Sequence, residues 1–565
     1  MHMKKVSWQL AIIFLAGLVV GILLLSEQSV ESNPITTPEP VRGGNYTEAL
    51  VGSLQRLNPL LDYYNQTDRD INRLIFSQLV RFDERGIPNP ELAANWGVSE
   101  DGTVYNLVLQ EGAKWHDGQP VTAQDVVFTV EMLRSDNDVV PADLQEFWDT
   151  VEVEALDETH LQFRLPEPFS PFIDYLTFGV IPEHLLGDQT FDQMIDAGFN
   201  IEPVGSGPYR FGGVIADDGV IQGVQLVAYE DYFGEKPFIQ EIIFRFYPDG
   251  QSALQAYREG LVQGIQSIGE DILPDVLAEE GLSVYTGRRP ELALVMFNLK
   301  NPEYAFLQDS DLRQALLQGL NRQYMVDRVL NGQAIIANGV IFPETWAYYE
   351  ETPQVAFDRE AAKEALSQAG YKIDEETGIR SKDGVVLRFT LLHPDTDTHR
   401  RIAEVIQDNW LELGVDVALQ AVPYDELISD YLETRSFQAV LVDLNLSRSP
   451  DPDPYPFWDQ VQATGGQNYS QWDNRIASEY LEQARTETDM AERTRIYRSF
   501  QVVFAREMPA LPLYYPVYTY AVDRAVGGVQ MGPLFDPSDR FATVLEWHLA
   551  TRTGEAAQAK ASPAP

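Results

Sequence analysis

The sequence predicts an α/β protein with mixed sheets, and three observations carry that prediction. A strand–helix–strand unit is legible over 385–421. Helices are legible at 249–259, 311–330 and 359–369, each with its own stop and the last two with caps. The composition, 44% hydrophobic and 11% aromatic with 22% charged residues, supplies ample core material. A chain of 565 residues holds about three to four domains of ordinary size.

Taken in order, 249–259 (DGQSALQAYRE) reads as a helix that stops at Gly260. In 311–330, Leu312, Leu316, Leu320, Val326 and Val329 recur at helical spacing. Asp309 or Ser310 caps its start, and Asn331-Gly332 ends it. The helix 359–369 is capped by Asp358 and stopped by Gly370. In 385–392, Val385, Leu387, Phe389 and Leu391 alternate as in a strand. Residues 398–413 then carry Ile402, Val405, Ile406 and Leu413 on one side, with Gly414 as the stop. Val415, Val417, Leu419 and Ala421 alternate again. Such a βαβ unit crosses over right-handedly onto a parallel pair.

Charge and composition exclude several classes. The chain has 41 basic and 86 acidic residues, a formal charge of −45. A surface this acidic repels phosphate backbones, so nucleic acid is excluded as a partner. There is no cysteine. Disulfides, thiolate nucleophiles, Cys-bound zinc and iron–sulfur clusters are therefore ruled out.

Lys4 and Lys5 precede an uncharged, mostly apolar run over 6–25. As a helix it would span about 30 Å, a bilayer's hydrocarbon thickness. The residues after it do not resemble a small-residue cleavage site. The run reads as an uncleaved anchor, with its lysines on the cytoplasmic side and the rest of the chain outside. Cleavage near 26–33 is the alternative, and leaves the protein exported as well. Residues 26–40 are polar and proline-rich, a stiff tether. Residues 551–565 read as a disordered tail.

Chemical motifs are mostly missing. There is no G-x-S-x-G elbow and no phosphate loop. Gly205-Ser206-Gly207-Pro208-Tyr209-Arg210 has Arg where a dinucleotide fingerprint needs its third glycine. His393 and His399 flank two aspartates, a spacing that two imidazoles and two carboxylates could use for a metal; a polar loop is the plainer reading. Asp451-Pro452-Asp453-Pro454 fails as a calcium loop, with Pro456 where glycine belongs. No metal or cofactor is expected. Aromatic residues cluster beside prolines. Tyr514-Tyr515-Pro516 and Tyr518-Thr519-Tyr520 read as strand and core. Trp346 and Trp458, in loop-like sequence, read either as packing or as ligand-facing walls, which suit peptides or sugars.

An ordered series of blocks then resembles one family. It runs Leu57-Asn58-Pro59-Leu60, Pro90-Glu91-Leu92-Ala93, Ser99-Glu100-Asp101-Gly102, and Lys114-Trp115-His116-Asp117-Gly118 through Phe128. Val204-Gly205-Ser206-Gly207-Pro208-Tyr209, Phe297-Asn298, Leu312-Arg313-Gln314-Ala315-Leu316, Asn468-Tyr469-Ser470 and Pro512-Leu513-Tyr514 follow. Over about 41–525 the chain resembles the family 5 extracellular solute-binding proteins, receptors of peptide- and dipeptide-type ABC importers. Physically the blocks look structural: a turn at Asp117-Gly118, a helix start at Thr122–Asp125, and Gly205-Ser206-Gly207 where the chain crosses between lobes.

The resemblance implies a periplasmic-binding-protein-like fold of two α/β lobes closing over a ligand, with an additional subdomain on lobe one. Lobe one falls at 41–66, 202–290 and 525–550, the subdomain at 67–201 and lobe two at 291–524. It implies no enzyme, a monomer, permease subunits as partners, and oligopeptides as cargo. An oligosaccharide cargo is the alternative, a nickel complex a weaker one, and a secreted hydrolase the alternative of another class. Family positions beside the ligand map to Ser53, Leu54, Phe297 and Asn298. The family's Trp and ammonium-pairing Asp map to Leu446 and Ser449, a departure from the peptide pattern, with Asp443 and Asp451 near enough to supply the charge. The family's lipid-bearing cysteine is absent, and the run 6–25 would tether the receptor instead.

Overall fold

The computed structural model describes residues 39–447 and 450–552. The apolar run 6–25, residues 26–38, Ser449 and the tail from 553 lie outside the described residues. Among the described residues no helix is long and apolar enough to cross a membrane.

One strand, Ala510–Asp523, joins the two halves of the molecule. Its sequence, ALPLYYPVYTYAVD, is dense in aromatic and β-branched residues, which favour a pleated, buried surface. Its first part pairs antiparallel with Glu291–Phe297, from Met296↔Ala510 to Ala293↔Tyr514. Its second part pairs with Leu282–Arg288, from Arg288↔Val517 to Leu282↔Asp523. The chain changes halves twice, at 288–291 and at 516–517. Both crossings hold a proline. Pro516 and Pro290 lack an N–H and serve only as acceptors, from Arg289 N at 2.9 Å and from Leu446 N at 2.7 Å. A residue without a donor cannot complete a ladder pair, so each crossing holds one position that only accepts.

Beyond the crossing, Glu291–Phe297 pairs antiparallel with Ala439–Asn445. Arg388–Pro394 and Asp416–Val422 form the parallel pair expected of the βαβ unit, in register from Arg388↔Asp416 to Pro394↔Val422. Its helix, Asp397–Glu412, buries Ile402, Ala403, Ile406 and Trp410 against the sheet. Each of the two isoleucines contributes about 1.5–3 kcal/mol of burial. On the other side, Asn45–Val51 pairs parallel with Glu241–Tyr247, and Val220–Ala228 and Tyr209–Asp217 extend that sheet antiparallel. A separate antiparallel sheet forms from Ala93–Val98, Val104–Leu109, His160–Arg164 and Glu152–Ala155.

The hydrophobic core divides at the same crossings. One cluster begins at Leu292 and ends at Tyr515. Another gathers Tyr46 to Phe244 with Tyr518 to Trp547, and includes the separate antiparallel sheet. The range proposed for lobe two, 291–524, thus takes in residues 517–523 that pair and pack with the other half.

Two local expectations need correction. The pattern 311–330 is not one helix. Ser310–Gln318 ends before Gly319, and a second helical segment occupies 322–329. Asn321 caps the second segment, its Oδ1 accepting from Tyr324 N at 2.9 Å, and Asn409 fixes the break by accepting from Asn321 N at 2.8 Å. Hydrophobic spacing was continuous across the break; the capping asparagine was the missed signal. Gly205 and Gly207 are not a link between lobes. They press on the end of helix Gln66–Ile75, where a Cβ at 205 would lie 2.0 Å from the Ile75 carbonyl oxygen.

Candidate functional site at the interlobe junction

The strands place three carboxylates around the crossing. Asp443 lies opposite Ala293, two residues beyond Glu291 on the same face of the strand. Glu270 reaches in from the other half and pairs with Arg401 at 3.4 Å, bridging the lobes. Burial pushes the Tyr514 phenol upward, and all three carboxylates add to that shift. Burial also raises Glu291 above the ordinary carboxyl range, partly offset by Arg289 at 2.5 Å. Asp443 accepts from His399 Nε2 at 2.8 Å, and His399 Nδ1 lies 2.7 Å from Thr396 Oγ1. This Asp–His–Thr chain positions Asp443. The Thr396 oxygen caps the helix by accepting from His399 N at 3.2 Å, so it is not a free nucleophile. The arrangement suits a cation, held by fixed acceptors at a partly solvated junction.

A second contact closes the opposite side. Asp174, in the 67–201 block, accepts from Asp451 N at 2.6 Å. The Asp451 carboxylate pairs with Arg493 at 2.6 Å, both almost fully buried. Asp453 takes Arg485 side-on, at 3.0 and 2.8 Å. Arg485 lies over Tyr455 at 4.0 Å and Phe169 at 5.2 Å, the latter from the 67–201 block. Three acids face two arginines. Burial and the neighbouring Asp451 push Asp174 well above the usual carboxylate range.

The sequence-predicted residues separate into two groups. Ser53 is exposed and Leu54 half-buried, just beyond the strand Asn45–Val51. Leu446 follows Ala439–Asn445 at the crossing, near Asp443. Ser449 lies outside the described residues. The others are interior. Phe297 is fully buried and stacks on Trp410 at 6.4 Å. Asn298 is buried, donating to Arg435 O at 2.8 Å and accepting from Gln471 Nε2 at 2.8 Å. Trp458 packs edge-on against Phe504 at 4.9 Å. Trp346 is buried beside Tyr497 and under Arg493, and its backbone N–H donates to Arg85 O at 2.9 Å. Asp451 already has its arginine. All five are buried, so long-range packing has taken up almost all the surface they could offer a ligand in this conformation.

Other singled-out groups are structural. His116 accepts from Gly205 N at Nδ1, and its Nε2 donates to Gly207 O at 3.0 Å. Burial lowers its pKa to about 4. His393 is buried, 2.8 Å from Pro394 O. Among the described residues no group of three or more acids and histidines is arranged to hold a metal. A cavity of about 430 Å³ beside His116, Arg210 and Tyr229 lies at the far edge of the lobe-one sheet, away from the crossings. Sequence reasoning missed Glu270, Glu291, Asp174 and Arg493, which belong to no local motif.

Two α/β halves with separate cores and two crossings define a hinged binding protein. Residues 88–468 match the bacterial extracellular solute-binding proteins, family 5. The chain belongs to that family, an extracytoplasmic one. It is 25% identical over 557 residues to the oligopeptide-binding protein AppA of Bacillus subtilis, covering 97% of this chain and 99% of AppA. It is 25% identical over 506 residues to the dipeptide-binding protein of Escherichia coli, covering 86% and 91%. The structure of Bacillus subtilis AppA with a nonapeptide superposes with TM-score 0.64 at 25% identity, over 91% of this chain and 100% of that one.

Proposed function

We propose that this chain is the receptor of an ABC importer that captures oligopeptides between its two lobes and makes or breaks no covalent bond in them. The carrying observation is the pair of crossings: two cores, joined through these segments, make lobe closure the softest motion available. Ligand that touches both lobes favours the closed form, and closure is the signal read by a permease. The names of the relatives support peptide as cargo.

Asp443, with Glu291 and Glu270 behind it, receives the peptide ammonium. Ser53, Leu54 and Leu446 border the peptide backbone. The sugar reading rested on Trp346 and Trp458 and on the departure at the ammonium-pairing position; burial of the two indoles withdraws the first of these supports. Lobe one is 41–66, 202–290 and 517–550, the subdomain 67–201 and lobe two 291–516. The run 6–25 tethers the monomer near its permease.

Calorimetric titration of purified protein against pools of peptides and cello-oligosaccharides tests this. Peptide heat without sugar heat is expected. Sugar heat alone, or hydrolysis of the bound peptide, would overturn it.

A further inference from the structure

Residues 52–56, the segment leaving strand Asn45–Val51, are fastened to the start of helix Gln66–Ile75. At one end, a Cβ at Gly52 would lie 2.5 Å from Thr67 Oγ1, so glycine lets the chain pass this close to the helix. Asn65 Nδ2 donates to Ser53 O at 3.1 Å. At the other end, Asp68 takes two successive main-chain donors: Gln55 N on Oδ1 and Arg56 N on Oδ2, each at 2.8 Å. Between these anchors, the N–H groups of Ser53 and Leu54 have no hydrogen-bond partner among the described residues.

Asp68 is not needed by its own helix. Asn65 is the cap, its Oδ1 accepting from Thr67 N at 3.0 Å. The Asp68 side chain is fully buried. Burial raises its pKa to about 6, and the two N–H groups offset that more than the nearby Arg56 does. A buried carboxylate is costly unless it is hydrogen-bonded, and this one gives both oxygens to the segment.

The segment starts beside a crossing. Val51 N donates to Gln266 Oε1 at 3.0 Å, and the hydroxyl of Tyr518, next to the crossing at 516–517, donates to Gln266 O. Ser53, exposed, follows two residues later on the rim of lobe one. We propose that Asp68 is a positioning residue for solute capture: by fixing the main chain at 55 and 56, it holds the unpaired N–H groups at 53 and 54 where a main-chain carbonyl oxygen of the captured solute accepts from them. This rests on the peptide reading above. Asp68 itself touches no solute. A peptide offers such a carbonyl at every residue, so this contact is indifferent to side-chain sequence.

The test is calorimetry with alanine-based peptides of three to nine residues and analogues in which one amide is replaced by an ester, whose carbonyl is the weaker acceptor. In wild type, the ester at one position weakens binding by about three- to tenfold. Asp68→Ala brings that ratio to about one and lowers the affinity of the all-amide peptide to that of the ester analogue. Asp68→Asn keeps one acceptor oxygen and retains part of the ratio; it carries the test by itself if Asp68→Ala does not fold. Gly205→Ala, at the other end of the same helix, lowers the melting temperature and leaves the ratio at its wild-type value. A ratio lowered equally in Gly205→Ala makes the effect one of stability and overturns the proposal. So does a wild-type ratio in folded Asp68→Ala, or in Asp68→Asn where that variant stands alone. Wild type indifferent to the ester at every position overturns it while leaving the peptide reading intact. No binding of any peptide defeats both.

Discussion

Asp174 offers two substitutions with opposite expected effects. Its Oδ2 accepts from Asp451 N at 2.6 Å across the contact between the 67–201 block and lobe two. Asp174→Ala removes the acceptor and leaves a buried N–H unpaired, a cost of about 1–3 kcal/mol. Opening the lobes breaks this contact, so the closed form is weakened by roughly five- to 150-fold. Asp174→Asn keeps an acceptor oxygen and removes a like charge from a cluster of Asp451, Asp453, Arg485 and Arg493, with Tyr105 and Tyr497 beside it. The docked state holds the Asp174 proton more tightly than the undocked one. Docking is therefore most favoured below the ordinary carboxyl value of 3.8, and it weakens as pH rises from there through the raised value. Asp174→Asn removes that slope and closes at least as well as wild type at neutral pH. The chain has no cysteine, so Asp188→Cys and Glu479→Cys supply the only two thiols for distance labels. Energy transfer between them, followed from pH 4 to 8, reads closure. Identical behaviour of the Ala and Asn variants, or a wild-type signal flat with pH, would refute the reasoning.

Other expectations follow from single contacts. Arg540 is fully buried between Glu48 at 2.6 Å and Asp70 at 2.9 Å; Arg540→Met strands both acids and costs about 3–5 kcal/mol in denaturant unfolding, and adding Glu48→Gln and Asp70→Asn restores much of it. Gly205→Ala forces a methyl against the Ile75 carbonyl and lowers stability by at least about 1 kcal/mol, read as a drop in melting temperature. Asp443→Asn weakens peptides with a free N-terminus by about tenfold and leaves N-acetylated peptides unaffected, measured by calorimetry; equal loss for both would place the ammonium elsewhere.

What was legible in the sequence was local. Helix Asp397–Glu412 with its flanking strands, the Asp358 cap, and the stops at Gly260, Gly370 and Gly414 depend on neighbours a few residues away. Ordered blocks also pointed to the family, and some of them, such as the turn at Asp117-Gly118 and the helix start at Thr122–Asp125, are local signals. Asparagine at 321 broke an apparently continuous helix because a cap can outweigh spacing.

The tertiary structure alone decided which side chains remained free. Trp346 and Trp458 looked alike in sequence to ligand walls, yet both are interior, since an aromatic ring gains from any apolar neighbour and the chain does not record which. Asp451 and Asp443 were equivalent acids on paper. One is neutralised by Arg493, 42 residues away, and meets Asp174, 277 residues away; the other stays at the junction with His399. Charge pairing and burial are set by distances between segments remote in sequence, and no local pattern carries those distances.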